Sequence, residues 1–196
     1  MLTTTLLLDP RTNREEACAA VARALELVNT ARGLTFADDG HETQDDIGYS
    51  VWSDDADGAT ETSWVRLVDD VSGRARYLEL HAVDDAILES VRDAIAAQLH
   101  VLSHAEIDAA VRDDLSLVAW LGHGGHSRVY DVGTASLIER ALASSDSRVV
   151  ADAQVAIFLL RWRLLLPLVE AALARATSPA QRAALEAIVT ASAEWT

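Results

Sequence analysis

Hydrophobic positions recur along this chain with two different periods, and the change of period divides it into two parts. Thr3 to Leu8 is a β-rich run that ends at Asp9-Pro10. The segment after it carries Ala17, Val21, Ala24, Leu25 and Val28 at spacings of three and four, which predicts an amphipathic helix. Thr12 with Glu15 offers a capping box at its start, and Gly33 stands where a left-handed C-terminal residue is wanted. Three segments of period two follow. Ile47, Tyr49 and Val51 alternate with Gly48, Ser50 and Trp52; Val65 and Leu67 alternate with Trp64 and Arg66; Leu78 and Leu80 alternate with Tyr77, Glu79 and His81. Asp57-Gly58 and Ser72-Gly73 lie between them with the chemistry of hairpin turns, so the three strands form an antiparallel meander. A second helix starts near Asp84 or Asp85, with Ile87, Leu88, Val91, Ile95, Leu99 and Leu102 as its apolar stripe.

The order strand, helix, three strands, helix is satisfied by an antiparallel sheet carrying both helices on one face. That arrangement buries Val65, Leu67, Leu78 and Leu80 and leaves Trp52, Trp64, Arg66, Tyr77, Glu79 and His81 on the other side. Two tryptophans and a tyrosine on one face are too apolar to stand in water without reason. Such a face either packs on the second half of the chain or on a twin subunit, or it is a partner site with aromatic anchors around a central arginine.

From Ser103 onward the alternation ceases and Ala, Leu and Arg recur at helical spacing. Ser103 with Glu106 forms a capping box for a short helix through Val111, and Leu115 to Leu121 stops at Gly122-His123-Gly124-Gly125-His126. Further helices begin near Gly133-Thr134, Ser145-Asp146, Pro167 and Ser178-Pro179, the last an N-cap followed by proline at the first helical position. The fold class is therefore α+β, with a β-α-β-β-β-α unit over residues 1–102 and an all-α array over residues 103–196.

Two blocks in the second half repeat. Leu137-Ile138-Glu139-Arg140-Ala141-Leu142, followed by Ser145-Asp146-Ser147-Arg148-Val149 and Ala153, resembles a HEAT-type repeat, with paired helices and a polar break between them. Leu168-Val169-Glu170-Ala171-Ala172-Leu173, then Thr177-Ser178-Pro179-Ala180-Gln181-Arg182 and Leu185, repeats the arrangement, and Val118-Ala119-Trp120-Leu121-Gly122 looks like the end of an earlier second helix. The resemblance implies a stacked helical scaffold, a class used mostly for protein binding.

Charge then changes the picture of the first half. The chain of 196 residues has 31 acidic and 16 basic side chains, a formal net charge of −15, and every basic residue is an arginine. Half of it is apolar, which argues against disorder, and its acidity repels the phosphates of nucleic acid and anionic membrane. Residues 1–102 hold 20 of the acids and 8 arginines, and residues 103–196 hold 11 acids and 8 arginines. Between Arg32 and Arg66 there is no arginine, yet Asp38, Asp39, Glu42, Asp45, Asp46, Asp54, Asp55, Asp57 and Glu61 all fall there. These acids make either a pair of solvated loops or a docking surface for a basic partner, since a single-sign patch raises encounter rates. Asp55-Ala-Asp57-Gly58 has part of a calcium loop, but Trp64 occupies the position where that loop needs a bidentate Glu. The N-terminus shows no basic, apolar export signal, the longest apolar run is Val155 to Leu160, and the single Cys18 forms no internal disulfide, which together predict a cytoplasmic protein.

Few residues invite chemistry. Cys18 lies beside the stripe of the first helix with no visible activating motif and reads as a packed small hydrophobe. His100 and His104, with His123 and His126, offer spacings compatible with a divalent metal, and the glycines around the latter pair could cradle a phosphate but lack the strand and Gly-Lys-Ser/Thr of a phosphate loop. Trp162, between Arg161 and Arg163 at a helix junction, is either a cover for that junction or an interaction anchor. These observations predict a non-catalytic protein-binding protein, adaptor-like, immunity-protein-like or chaperone-like, without cofactor. It would dock a basic protein partner through the acidic patch and the aromatic sheet face. The alternative is a metal-dependent enzyme or lyase using the histidines near 100–126.

Overall fold

In the computed structural model the described residues are 2–44, 46–54, 62–71, 74–124 and 129–195. The chain divides into two compact units, Met1–Leu102 and Ser103–Thr196. None of the described helices is long and apolar enough to cross a membrane.

The first unit is an antiparallel sheet with two helices, in the order β1 (Leu2–Leu7), α1 (Arg14–Arg32), β2 (Phe36–Gln44), β3 (Ile47–Asp54), β4 (Ser63–Asp70), β5 (Ala75–Ala82) and α2 (Asp85–Ala96). The strands run β1-β5-β4-β3-β2 across the sheet, all pairs antiparallel. The fold class is α+β as expected, but the sheet has one strand more than the alternation predicts. Strand β2 has the sequence Phe-Ala-Asp-Asp-Gly-His-Glu-Thr-Gln and buries Phe36 alone. As an edge strand it takes its backbone hydrogen bonds from β3 and among the described residues has no second neighbour to cover it, so nothing requires a period of two. Glycine is needed at one point in it: Gly40 has φ +117°, beside the register shift between Asp38 and Gly40.

Both helices lie on one side of the sheet, over a core of Leu6, Leu8, Val65, Leu67, Leu78 and Leu80 from the strands, Val21, Leu25 and Val28 from α1, and Val91 and Ile95 from α2. The capping box of α1 sits one residue later than expected. Asn13 accepts from the Glu16 amide at 2.9 Å while Glu16 accepts from the Asn13 amide, and Gly33 closes the helix at φ 70°. Helix α2 ends at Ala96, before Leu99 and Leu102. The chain beyond it turns extended, because Val101 bridges Leu8 and the Leu102 amide donates to the Leu7 carbonyl at 2.8 Å.

The second unit is helical: α3 (His104–Asp113), α4 (Trp120–His123), α5 (Val132–Leu142), α6 (Ser147–Leu160), α7 (Leu166–Arg175) and α8 (Pro179–Ala191). Side-chain caps start most of them. Ser103 and Glu106 box α3, Asp131 accepts from the amides of Gly133 and Thr134, Asp146 from that of Arg148 and Ser178 from that of Gln181. Helix α5 packs on α6, α7 on α8, and α6 also meets α4 and α8. The two repeated sequence blocks fall on α5 with α6 and on α7 with α8. Two glycines of the Gly-His-Gly-Gly-His stretch serve this packing. A Cβ at Gly122 would stand 2.9 Å from the Ala156 Cα, and one at Gly124 would collide with Ile107.

Candidate functional site

Pairing register decides which side chains share the open face of the sheet. Arg66 lies opposite Glu79 on β5 and Val51 on β3; Trp64 lies opposite His81; Val68 lies opposite Tyr77 and Tyr49. Directly paired residues point to the same side, so Tyr49, Val51, Trp64, Arg66, Tyr77, Glu79 and His81 are gathered there. All are half-buried.

Arg66 is the centre of this group. Its Nε donates to Glu79 Oε2 at 2.7 Å, its Nη2 donates to the same oxygen, and its guanidinium lies 5.4 Å from the ring centroids of both Tyr49 and Trp64. A planar guanidinium held between two rings and tied by a carboxylate has little freedom left to lose. Trp64 in turn stacks on His81, with centroids 5.0 Å apart and planes 8° from parallel, and His81 Nδ1 pairs with the Thr3 hydroxyl at 3.1 Å. Burial, followed by the carboxylates of Glu79 and Asp70, pushes the Tyr77 hydroxyl far above its ordinary range, so it stays protonated. A shallow depression of about 410 Å³ opens beside Arg66, lined by Asp39, Val51, Ser53, Thr62 and Trp64.

Trp52 is a correction. It was expected on the open face, but it pairs with Val65, is 4% exposed and belongs to the core under the helices. The inward row of β3 is Gly48, Ser50, Trp52 and Asp54, whose first two members are small because the N-terminal turn of α1 approaches them closely. Arg14 Nη2 donates to the Tyr49 carbonyl at 3.0 Å and to Ser50 Oγ at 3.3 Å, and a Cβ on Gly48 would meet the Arg14 guanidinium at 2.6 Å. Apolar strength in β3 therefore faces outward in Ile47, Tyr49 and Val51, the reverse of what their hydrophobicity suggests. Ser50 is fully buried and also meets Cys18 Sγ at 3.5 Å and His41 Nδ1 at 2.9 Å. The sequence carries no sign of this cluster, whose members come together only through the β2–β3 register and the docking of α1.

The acidic stretch is split by the fold. Asp38, Asp39 and Glu42 stand exposed on the edge strand β2, and Asp46 is exposed in the turn that follows. Asp38 holds the irregular step of that strand by accepting from the Gly40 amide at 2.8 Å, and His41 Nε2 lies 3.9 Å from its other oxygen. Asp54 leaves the patch: 8% exposed, it accepts from the Thr35 amide at 2.7 Å and the Thr35 hydroxyl at 2.8 Å. Asp45, Asp55 and Asp57 lie outside the described residues, as do both expected hairpin turns in whole or in part.

Two of the four histidines meet different partners. His100 Nδ1 lies 3.1 Å from Asp9 Oδ2, and His104 Nε2 lies 3.0 Å from the Gly124 carbonyl. His123 ends α4, and His126 lies outside the described residues. Among the described residues, no three His, Cys, Asp or Glu side chains gather in a way that would hold a metal ion. In the second unit Trp162 meets Tyr130 edge to face, centroids 5.4 Å apart at 68°, with Arg161 and Arg163 exposed on either side. Comparison with protein-family models, curated proteins and solved structures finds no match to this chain.

Proposed function

We propose that this is a non-catalytic binding protein that docks a basic protein partner through the open face of its sheet and the acidic edge beside it. The second unit would act as a HEAT-like helical scaffold in an adaptor, immunity-protein-like or chaperone-like role. One observation carries this reading: Arg66 is held between Tyr49, Trp64 and Glu79 on a half-exposed face. Pre-ordered aromatic and arginine side chains are the types that concentrate binding energy, because little rotamer entropy is lost when a partner covers them. Exposed Asp38, Asp39, Glu42 and Asp46 alongside supply a field that would steer a cationic surface.

The test is photo-crosslinking from position 51 in the cells that make the protein, followed by binding measurements with the purified captured partner. Affinity is expected to fall steeply with salt, and by roughly tenfold or more in Trp64→Ala and in Arg66→Ala. A partner indifferent to both substitutions and to salt would sink the proposal.

A further inference from the structure

We infer that the depression beside Arg66 takes a lysine or arginine side chain of the basic partner, an inference that rests on the docking role proposed above and names what enters the site. Two charged residues line the depression among the described ones, and they differ in what answers them. Arg66 is matched inside the sheet, since Glu79 accepts from both its Nε and its Nη2. The Asp39 side chain is exposed and makes no hydrogen bond or ion pair among the described residues. Among the described lining residues the uncompensated charge is therefore negative. Its neighbourhood reinforces that sign, because Asp38 and Glu42 stand exposed on the same strand and no arginine or lysine occurs from residue 33 to residue 65.

Shape and lining narrow the occupant further. Val51 and Trp64 give an apolar wall, while Ser53 and Thr62 add hydroxyl acceptors, within a volume of about 410 Å³. A long cationic side chain suits such a site, with its methylene stem against the wall and its head at the carboxylate. An acidic side chain would meet Asp39 with like charge, and an apolar one would cover that carboxylate without pairing it.

The probes are two peptides used with the full-length protein: acetyl-Gly-Arg-Gly-Lys-Gly-Arg-Gly-amide and the same peptide with glutamine at each basic position. Binding is followed by the Trp64 indole N–H resonance, assigned from the spectrum of Trp64→Phe, and by titration of two charge-matched variants. Asp39→Asn removes the carboxylate in the depression, and Glu26→Gln removes an exposed one on α1. The basic peptide is expected to bind and shift the Trp64 resonance, with affinity about fivefold or more lower in Asp39→Asn and within about twofold of the parent in Glu26→Gln. The glutamine peptide is expected to leave the resonance unmoved. Equal losses in the two variants, an unmoved Trp64 resonance on binding, or no binding at all would each overturn the inference. The docking role itself is decided separately, by the response of the captured partner to Trp64→Ala, Arg66→Ala and salt.

Discussion

Asp9 and His100 are 91 positions apart in sequence, yet the Asp9 carboxylate and the His100 ring nitrogen Nδ1 lie 3.1 Å from each other. The backbone repeats the contact, for the Asp9 amide donates to the His100 carbonyl at 3.0 Å. Together with the Leu8–Val101 bridge, this holds the last residues of the first unit along the end of β1.

Acid sensitivity follows from the same carboxylate. Hydrogen bonds from the Arg11 side chain and amide, aided by His100, hold the Asp9 carboxyl well below the usual carboxylate range despite its burial. A carboxyl depressed on folding contributes stability that is fully present above its unfolded pKa, near about 3.9, and is lost as pH falls from there toward the folded value. Asp9→Asn is expected to cost about 1 kcal/mol at neutral pH, a modest figure because Arg11 stands in water. Urea midpoints from pH 7 to pH 2 check this: the gap between parent and variant should narrow below pH 4, and a constant gap would contradict it.

Trp52 and Trp64 neighbour one another across β3 and β4 but should respond in opposite ways to truncation. Trp52→Ala empties a site in the core and is expected to cost about 3–5 kcal/mol, whereas Trp64→Ala on the open face should cost about 1 kcal/mol or less. Chemical denaturation of the two variants decides the matter. Comparable losses would mean that Trp64 is also a core residue.

Gly122 and Gly48 both sit where a Cβ would be crowded, but against different neighbours. At Gly122 the obstacle is the α6 backbone at Ala156, with Leu159 beside it; at Gly48 it is the far end of Arg14. Gly122→Ala should therefore destabilise by about 2 kcal/mol or more, while Gly48→Ala should cost less as the arginine swings aside. Thermal melts of both variants test the order, and a Gly48→Ala loss exceeding that of Gly122→Ala would reverse it.

Arg161 closes α6 in the left-handed region at φ 53°, a conformation that costs a side chain roughly 1 kcal/mol and costs glycine almost nothing. Arg161→Gly is expected to stabilise the second unit by up to about 1 kcal/mol, read from its unfolding midpoint. A loss of stability instead would show that the Arg161 side chain makes a contact worth more than the strain.

Periodicity made α1, β3, β4 and β5 legible, because each has one face under a neighbour and one that is not, and Ser103, Asp146 and Ser178 marked helix starts through their side-chain oxygens. The same logic failed for β2. Its strand character comes from hydrogen bonds lent by β3, and an edge strand of charged residues leaves no mark in hydrophobic spacing. It failed differently at Trp52, where alternation was correct and direction was not. Which side of β3 faces inward depends on how closely α1 approaches, and that approach is set by Gly48, Ser50 and Arg14 meeting across more than thirty positions.

The candidate site shows the same division. Sequence alone determined that Trp64, Arg66, Glu79 and His81 lie on the face opposite Leu67 and Leu80, because side chains alternate along a strand. It also determined that the acids cluster between Arg32 and Arg66. Only the tertiary structure decided that Arg66 closes on Glu79 over two rings, that Asp54 turns inward to Thr35 while Asp39 stays open, and that Asp9 takes His100. Those outcomes depend on strand register and on contacts between distant segments, and a local pattern of residues holds no information about which distant partner will arrive.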